Sequence, residues 1–247
     1  ETYTFPKPGH EKTVSVIVTS DKCYQNFKLL RGYHEKDRLG GHDPYSASKA
    51  SAEIIFSSYF NSILKKNKKI KIATARAGNV IGGGDWSPNR LVPDCVRAWA
   101  LNNKVNIRSP NSTRPWQHVL EPLSGYIILS YNLKKNKKIN GSSFNFGPKT
   151  NEIATVKNVL KISSKYWDKA KFKIYKEKFF KEDPLLKLNS IKAQKILKWK
   201  KILSLQKTLE LTMTWYRDFY KNNTKVNNLL DRDINYFLSL KENIFND

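Results

Sequence analysis

The sequence predicts an α/β fold, and three segments carry that prediction. Residues 14–18 (VSVIV) are mostly β-branched, have the length of a strand and stop at a polar cluster, 20–22 (Ser-Asp-Lys). After a turn-rich loop, Pro44 opens a run of helix-forming residues, and residues 70–76 (IKIATAR) follow as a buried strand. In an α/β sheet, reactive side chains collect where a strand ends. The polar cluster is therefore the first candidate for a functional site.

A tyrosine and a lysine at helical spacing form the second candidate. Tyr45 and Lys49 lie four residues apart, so on a helix they share one face. An ammonium group beside a phenol favours the phenolate, which can act as a general base. A single Tyr-x-x-x-Lys pair occurs by chance in many helices. The ordered combination of a strand, Ser-Asp-Lys, a loop and Tyr-x-x-x-Lys on a helix is much more specific.

This combination is the catalytic arrangement of the extended short-chain dehydrogenase/reductases, which residues 16–53 resemble. Within that superfamily, residues 19–24 (TSDKCY) and 43–53 (DPYSASKASAE) are similar to the CDP-glucose 4,6-dehydratases. The related dTDP-glucose enzymes carry Thr-Asp-Glu where this chain has Ser-Asp-Lys. The resemblance covers about residues 14–220.

The resemblance implies a Rossmann-type parallel sheet with a smaller C-terminal α/β lobe that binds substrate and is interleaved with the sheet in sequence. We therefore expect residues 13–108 to be the C-terminal part of the catalytic domain. Residues 109–222 are expected to form mainly the substrate-binding lobe. Residues 223–247 are expected to form a helical tail.

The reaction implied by the resemblance is an intramolecular redox dehydration of CDP-glucose to a 4-keto-6-deoxy sugar, with NAD as the cofactor. Tyr45 would take the proton of the C4 hydroxyl while hydride passes to NAD, and Lys49 would stabilise the phenolate. Ser20 would hydrogen-bond the C4 oxygen, and Asp21 would protonate the departing C6 hydroxyl. Lys22 stands where the dTDP enzymes carry a carboxylate base, and it is either the C5 base or a stabiliser of the enolate. The cofactor-binding candidates are Thr19, Tyr45, Lys49 and Ala77.

Four further positions are candidate substrate ligands. The loop 77–86 (AGNVIGGGDW) is rich in glycine, which lets backbone approach a ligand closely, although an ordinary strand-to-loop turn has the same composition. Residues 112–119 (STRPWQHV) contain an arginine, whose planar fork suits two phosphate oxygens of a nucleotide diphosphate. Similarity to the family in these segments, and in 89–94 (NRLVPD) and 143–147 (SFNFG), implies that substrate is bound by Asn79, Arg90, Arg114 and Asn145.

Further elements follow from hydrophobic periodicity and start signals. Pro93 and Pro122 are expected in the first turn of a helix, where proline is tolerated, and Ser190 is expected to cap a helix with its side chain. Residues 182–188 (EDPLLKL) resemble the Glu-x-x-x-Leu-x-Leu segment that closes the family's lobe. The predicted helices cover 45 to about 66, 93–101, 121–133, 155–167, 190–199 and 204–220. The predicted strands cover 105–108, 143–147 and 171–175.

The chain has no glycine-rich cofactor motif. No G-x-G-x-x-G or G-x-x-G-x-x-G follows an opening strand, although these reductases bind the cofactor pyrophosphate there. The first residue is Glu1 and the sole methionine is Met213. We therefore expect the chain to be the C-terminal part of an enzyme, with about three βα units, or ~100 residues, upstream of Glu1.

Three interpretations of the function stay open. The first is a CDP-glucose 4,6-dehydratase, or a fragment of one. The second is another extended reductase acting on nucleotide sugars, such as a 4-epimerase, which has no need of the C6 acid that the Ser-Asp-Lys triplet supplies. The third is a non-catalytic remnant that keeps the ancestral motifs and is unable to bind NAD.

Composition excludes several other classes. The formal net charge of +24 ordinarily indicates a nucleic-acid partner, but the lysines lie in short scattered runs without a nucleic-acid-binding motif, so we expect no such function. No run approaches the ~18 apolar residues of a membrane helix, and the start lacks a signal-peptide pattern. Cys23 and Cys95 lack metal or redox spacing, so we expect reduced thiols, no metal site and a cytoplasmic protein. The resemblance further implies a homodimer or homotetramer and a place in deoxysugar and lipopolysaccharide biosynthesis.

Overall fold

The computed structural model describes residues 13–152, 154–175 and 187–245, with side chains to residue 241. The strands are β1 (Thr13–Val18), β2 (Ile70–Ala77), β3 (Val80–Ile81), β4 (Lys104–Ile107), β5 (Thr113–Arg114), β6 (Gln117–His118), β7 (Ser143–Phe146), β8 (Ala154–Thr155) and β9 (Lys171–Ile174). The helices are α1 (Pro44–Ser62), α2 (Leu91–Ala100), α3 (Leu120–Lys135), α4 (Val156–Ser163), α5 (Ile191–Leu197), α6 (Leu205–Asn222) and α7 (Val226–Phe245).

The main sheet has three parallel strands in the order β1-β2-β7. In its register, Val16 pairs with Ala73, and Ala75 pairs with Phe144. Parallel strands need crossover connections, which the helices between these strands supply. The α/β class predicted from the sequence is confirmed.

The two faces of β2 have different chemistry, because successive side chains of a strand point to opposite faces. Ala73 and Ala75 belong to an apolar core that also contains Leu129 of α3 and Trp199, just beyond the end of α5. Thr74 and Arg76 are equally buried and hydrogen-bond to a side chain of α1. The sheet thus has an apolar face towards α3 and α5 and a polar face towards α1.

A second core lies among α2, α4, α6 and β4. Its largest buried side chains include Trp99 of α2 and Trp215 of α6, and β4 contributes Val105 and Ile107. Short strand pairs accompany this core: β4 with β9 and β3 with β6 are parallel, and β5 with β8 is antiparallel. The second core places the ends of α2 and β4 near the carboxyl ends of β1 and β2, where one cavity joins them.

Most predicted elements are present, with shifted ends. α1 stops at Ser62 and is followed by a 3₁₀ turn over Leu64–Lys66, whereas the prediction ran helix to about 66. α2 begins two residues before Pro93. α4 is shorter than the predicted 155–167, because a 3₁₀ turn over Ser164–Tyr166 replaces its last turn.

The predicted side-chain cap at Ser190 is wrong. Ser190 occupies the N-cap position of α5 but makes no capping hydrogen bond. Its hydroxyl instead accepts from the backbone N–H of Gly147 at 2.9 Å and donates to the carbonyl of Gly147 at 3.2 Å. The side chain therefore ties α5 to the segment after β7.

The predicted closing segment, 182–188, lies largely outside the described residues, which resume at 187. The tail forms α7, and residues 246–247 also lie outside the description. Within the described ranges, no helix combines the length and apolar character that crossing a bilayer would require.

Candidate active site

The polar cluster after β1 forms a capped turn. The hydroxyl of Ser20 accepts from the backbone N–H of Lys22 at 3.2 Å and so caps the 3₁₀ turn Asp21–Cys23. The same hydroxyl donates to Oδ1 of Asp21 at 2.9 Å. Ser20 and Asp21 are 7% and 2% exposed. The turn therefore holds a hydroxyl and a carboxyl group in one fixed arrangement at the end of the strand.

The start of α1 presents the tyrosine and the lysine. Asp43 caps the helix by accepting from the backbone N–H of Ser46 at 3.0 Å, and Pro44 occupies the first turn. Tyr45 follows with its side chain 55% exposed, and Nζ of Lys49 lies 5.6 Å from the centre of the Tyr45 ring. The four-residue spacing thus brings the ammonium group beside the phenol ring.

A cavity of about 590 Å³ collects most of the candidate residues. This volume is in the range of small-molecule and cofactor sites. The side chains at the carboxyl ends of β1 and β2 form one wall, and residues of α2, β4 and β5 form the other. The candidates that line it are Thr19, Ser20, Asp21, Lys22, Tyr45, Ala77, Asn79, Arg90 and Arg114.

Asp21 is the carboxyl group in this cavity with the most strongly perturbed acidity. Burial raises the pKa of Asp21 from 3.8 to about 6, against the opposing effects of the hydrogen bond from Ser20 and the positive charges of Lys22 and Arg114. Its Oδ2 is buried and has no hydrogen-bond partner among the described residues. A carboxyl group that is partly protonated near neutral pH is suited to act as a general acid.

Arginines line the wall opposite the strand ends. Arg114 lies close enough to Asp21 to lower its pKa, and Arg90 pairs with Asp85 at 3.0 Å while remaining 63% exposed. Arg108 also lines the cavity, immediately after the end of β4. The sequence reasoning missed Arg108, although the rule that drew attention to Ser20 applies to it equally, because it too follows directly after a strand.

Two candidates lie away from the cavity walls. Lys49 is not among the lining residues, but its ammonium group lies beside the ring of Tyr45, which lines the cavity. Asn145 is fully buried: its Oδ1 accepts from the hydroxyl of Tyr24 at 2.7 Å, and its Nδ2 donates to the carbonyls of Tyr33 at 2.9 Å and Asn189 at 3.2 Å. These bonds hold Asn145 inside the fold, and the substrate contact that the resemblance implies for it stays a prediction.

The glycines of the loop after β2 pack against protein. A Cβ atom at Gly78 would lie 2.2 Å from Cγ of Pro115, and one at Gly83 would lie 2.1 Å from the indole of Trp215. Of the loop's four glycines, Gly78 alone lines the cavity. The sequence suggested that these glycines let the backbone approach a ligand. At Gly83, the absence of a side chain instead lets the loop pack closely against Trp215 of α6.

Comparison with solved structures shows that this chain shares its Rossmann-type α/β fold with a nucleotide-sugar dehydratase and a nucleotide-sugar epimerase. The structure of dTDP-glucose 4,6-dehydratase from Bacillus anthracis in complex with NAD matches with a TM-score of 0.68 and 21% identity, over 82% of this chain and 61% of that chain. The structure of UDP-glucose-4-epimerase from Stenotrophomonas maltophila with bound NAD matches with a TM-score of 0.71 and 17% identity, over 84% of this chain and 64% of that chain.

In sequence, the chain is similar to a particular dehydratase. It is 41% identical over 219 residues to CDP-glucose 4,6-dehydratase of Salmonella typhimurium, which is 87% of this chain and 61% of that protein. The resemblance predicted from the motifs is confirmed. The chain spans about three fifths of the length of this relative. No family model matches the chain.

Proposed function

We propose that the chain is the catalytic and substrate-binding portion of an NAD-dependent CDP-glucose 4,6-dehydratase, a lyase that forms CDP-4-keto-6-deoxy-glucose. The observation that carries the proposal is the single cavity shared by the Ser20–Lys22 turn, Tyr45 and Arg114. The similarity to the Salmonella enzyme supports the choice of CDP-glucose. Residues 13–108 would supply the catalytic wall, residues 109–222 most of the substrate lobe, and residues 223–247 a helical tail.

The residues present fit the ribose and nicotinamide end of NAD. Thr19, Tyr45 and Ala77 line the cavity at the ends of β1 and β2, and the Lys49 ammonium beside Tyr45 offers donors to ribose hydroxyls. The chain contains no glycine-rich turn for the pyrophosphate, so these residues account for one end of the cofactor. When bound, NAD supplies the two-electron oxidation and reduction that open and close the reaction.

The side chains of the cavity divide the proton transfers between them. Tyr45 takes the proton of the sugar C4 hydroxyl, with the Lys49 charge stabilising the phenolate. The hydroxyl of Ser20, which donates to Asp21 in this structure, would turn to donate to the C4 oxygen. The resulting ketone acidifies C5, and Asp21 protonates the hydroxyl that leaves C6 as water. Lys22 either accepts the C5 proton as a neutral amine or, as an ammonium ion, stabilises the enolate while water takes that proton.

The arginines suit the other end of the substrate. A guanidinium group matches two phosphate oxygens, so Arg114 and Arg90 would hold the diphosphate, with Asn79 beside the sugar. The pair formed by Arg90 and Asp85 would have to open or share its guanidinium group.

We further propose a cytoplasmic enzyme of deoxysugar and lipopolysaccharide biosynthesis that acts as a homodimer or homotetramer without a nucleic-acid or membrane partner. The scattered placement of the lysines supports the absence of a nucleic-acid partner.

The test uses the protein containing this chain, purified and incubated with NAD and CDP-glucose. We expect a 4-keto-6-deoxy product by NMR, at least tenfold slower turnover of dTDP-glucose, and loss of product in Tyr45→Phe, which removes the proton acceptor. A product epimerised at C4 would replace the proposal with an epimerase. Absence of product together with absence of NAD binding, measured by fluorescence quenching, would identify a non-catalytic remnant.

A further inference from the structure

A buried ion pair lies between α1 and β2. Glu53 of α1 is 2% exposed and accepts from Nη2 of Arg76 at 2.7 Å. It also accepts from the hydroxyl of Thr19 at 2.5 Å and from that of Thr74 at 2.9 Å. Glu53 follows Lys49 by four residues, so the ion pair lies on the same side of α1 as the proposed catalytic residues.

The arginine of this pair extends the network past the polar turn. Nη1 of Arg76 donates to the hydroxyl of Tyr24 at 2.7 Å, and that hydroxyl donates to Asn145. Thr19 stands immediately before the residues 20–22, and Tyr24 stands just after the turn they begin. Both ends of the turn are therefore bonded to one ion pair, whose acidic member belongs to the helix of Tyr45.

The pair keeps both of its charges in this setting. Burial alone would raise the pKa of Glu53, but the hydrogen bond and charge of Arg76 and the hydroxyls of Thr19 and Thr74 outweigh burial and lower it. Nε of Arg76 has no partner among the described residues, but both of its terminal nitrogens are hydrogen-bonded. Such charge-assisted hydrogen bonds are directional, whereas apolar packing at the same place would not fix the two segments relative to each other.

We propose that Glu53 and Arg76 are positioning residues, which clamp the turn carrying Ser20, Asp21 and Lys22 to the helix carrying Tyr45 and Lys49. The catalytic meaning of the clamp rests on the proposed function. The clamp itself is a property of the fold and is testable without turnover.

Two variants break a bond between the ion pair and the turn, and two matched controls break a bond elsewhere. Thr19→Val and Tyr24→Phe each remove a hydroxyl next to the turn. Thr74→Val and Ser143→Ala each remove a hydroxyl that bonds the same pair from β2 or β7, away from the turn. Thr19→Ser keeps the hydroxyl and serves as the rescue variant.

The first readout is the titration of the Asp21 carboxyl group in the folded chain, followed by carbon-13 NMR. We expect Thr19→Val and Tyr24→Phe to lower its midpoint by roughly 1 pH unit, because a released turn gains water around the carboxylate. The controls and Thr19→Ser should stay within about 0.3 pH units of the parent chain. Urea unfolding of every variant separates this shift from general loss of stability.

The second readout is turnover by the protein containing this chain. We expect Tyr24→Phe to lower kcat about tenfold with little change in KM, because the substrate contacts are kept while the acid and the base are misaligned. Equal shifts of the Asp21 midpoint in test variants and controls, or no shift in any variant, would overturn the clamp. A shifted midpoint in a protein that forms no ketosugar would retain the clamp and reject the proposed function.

Discussion

At the scale of single residues, Asp21 combines burial with a stated chemical task. Its folded-state pKa of about 6 exceeds its ordinary value of 3.8 because the carboxylate is removed from water. The folded chain therefore binds this proton more tightly than the unfolded chain. The contribution of Asp21 to the free energy of unfolding becomes less favourable as pH rises from about 4 through 6.

Asp21→Asn should remove this pH dependence while keeping the shape of the protonated group. We expect the variant to be more stable than the parent chain at pH 7.5, by up to ~3 kcal/mol, and about equal to it at pH 4. Urea unfolding at the two pH values is the measurement. Asp43→Asn is the control, because hydrogen bonds to Ser46 lower the pKa of Asp43, so its loss should give no gain at pH 7.5. Equal stability of Asp21→Asn and the parent at both pH values would contradict the burial argument.

Lys22 is the residue whose task separates two mechanisms. We expect Lys22→Ala to keep reversible oxidation at C4 and to lose elimination between C5 and C6, because its ammonium group serves only the second step. The measurement is the near-ultraviolet absorbance of reduced cofactor alongside product analysis by NMR, with Tyr45→Phe as a control that loses both signals. Elimination at a near-normal rate in Lys22→Ala would remove Lys22 from the mechanism.

Local spacing explains which residues of the candidate site were predictable. Tyr45 and Lys49 are joined by one helical turn, and Ser20 with Asp21 by a strand end, so short sequence patterns suffice to bring each pair together. Glu53 gave no such signal, since its partner Arg76 is 23 residues away and belongs to another element. The hydrogen bonds of Asn145 gave no local signal either, because the hydroxyl that it accepts from lies 121 residues away.

At the scale of elements, two serines before helices have different tasks. Ser204 caps α6 by accepting from the backbone N–H of Lys207 at 3.1 Å. Ser190 occupies the same position before α5, but its hydroxyl hydrogen-bonds to the backbone of Gly147. Propensity identifies the position in both cases, whereas a tertiary contact decides which bond the side chain makes.

Alanine substitutions should distinguish the two serines. Ser204→Ala should cost about 1 kcal/mol through loss of the cap. Ser190→Ala should cost about 1–3 kcal/mol, because it leaves the buried N–H of Gly147 without its acceptor. Urea unfolding gives the free energies of unfolding, and amide hydrogen exchange locates the lost hydrogen bond. The amide of Gly147 should exchange faster in Ser190→Ala, and its exchange rate should be unchanged in Ser204→Ala. Unchanged protection of the Gly147 amide from exchange in both variants would show that Ser190 does not hold α5 to the segment after β7.

At the scale of the whole molecule, the cavity joins two cores that the sequence does not reveal as neighbours. One wall comes from the ends of β1 and β2, and the other from α2, β4 and the β5–β6 segment. Strand and helix patterns predict the elements of each core. The contact of Trp215 with Gly83, which connects α6 to the loop after β2, depends instead on how the shapes of the two surfaces fit, and sequence patterns do not record that fit. The resemblance to the dehydratases supplied what periodicity could not.

The excess of positive charge acts on the whole molecule. A formal net charge of +24 in 247 residues makes the folded chain repel itself, because folding brings these charges closer together than they are in the extended chain. Some surface cations are paired, such as Lys221 with Asp168 and Arg232 with Asp218. Pairs of this kind are worth little each, so repulsion should dominate the response to salt.

Salt should therefore stabilise the protein. We expect the Tm to rise by about 3–6 °C between ~0.02 and ~0.5 M NaCl, as the screening length falls from more than 20 Å to about 4 Å. Differential scanning calorimetry gives the Tm, and sucrose at matched osmolality controls for exclusion of solute from the surface. Binding to DNA, if observed at low salt, should disappear over the same range, because it would rest on charge alone. A Tm that falls with salt would show that the paired cations outweigh the repulsion, and salt-resistant binding to DNA would reopen the nucleic-acid interpretation.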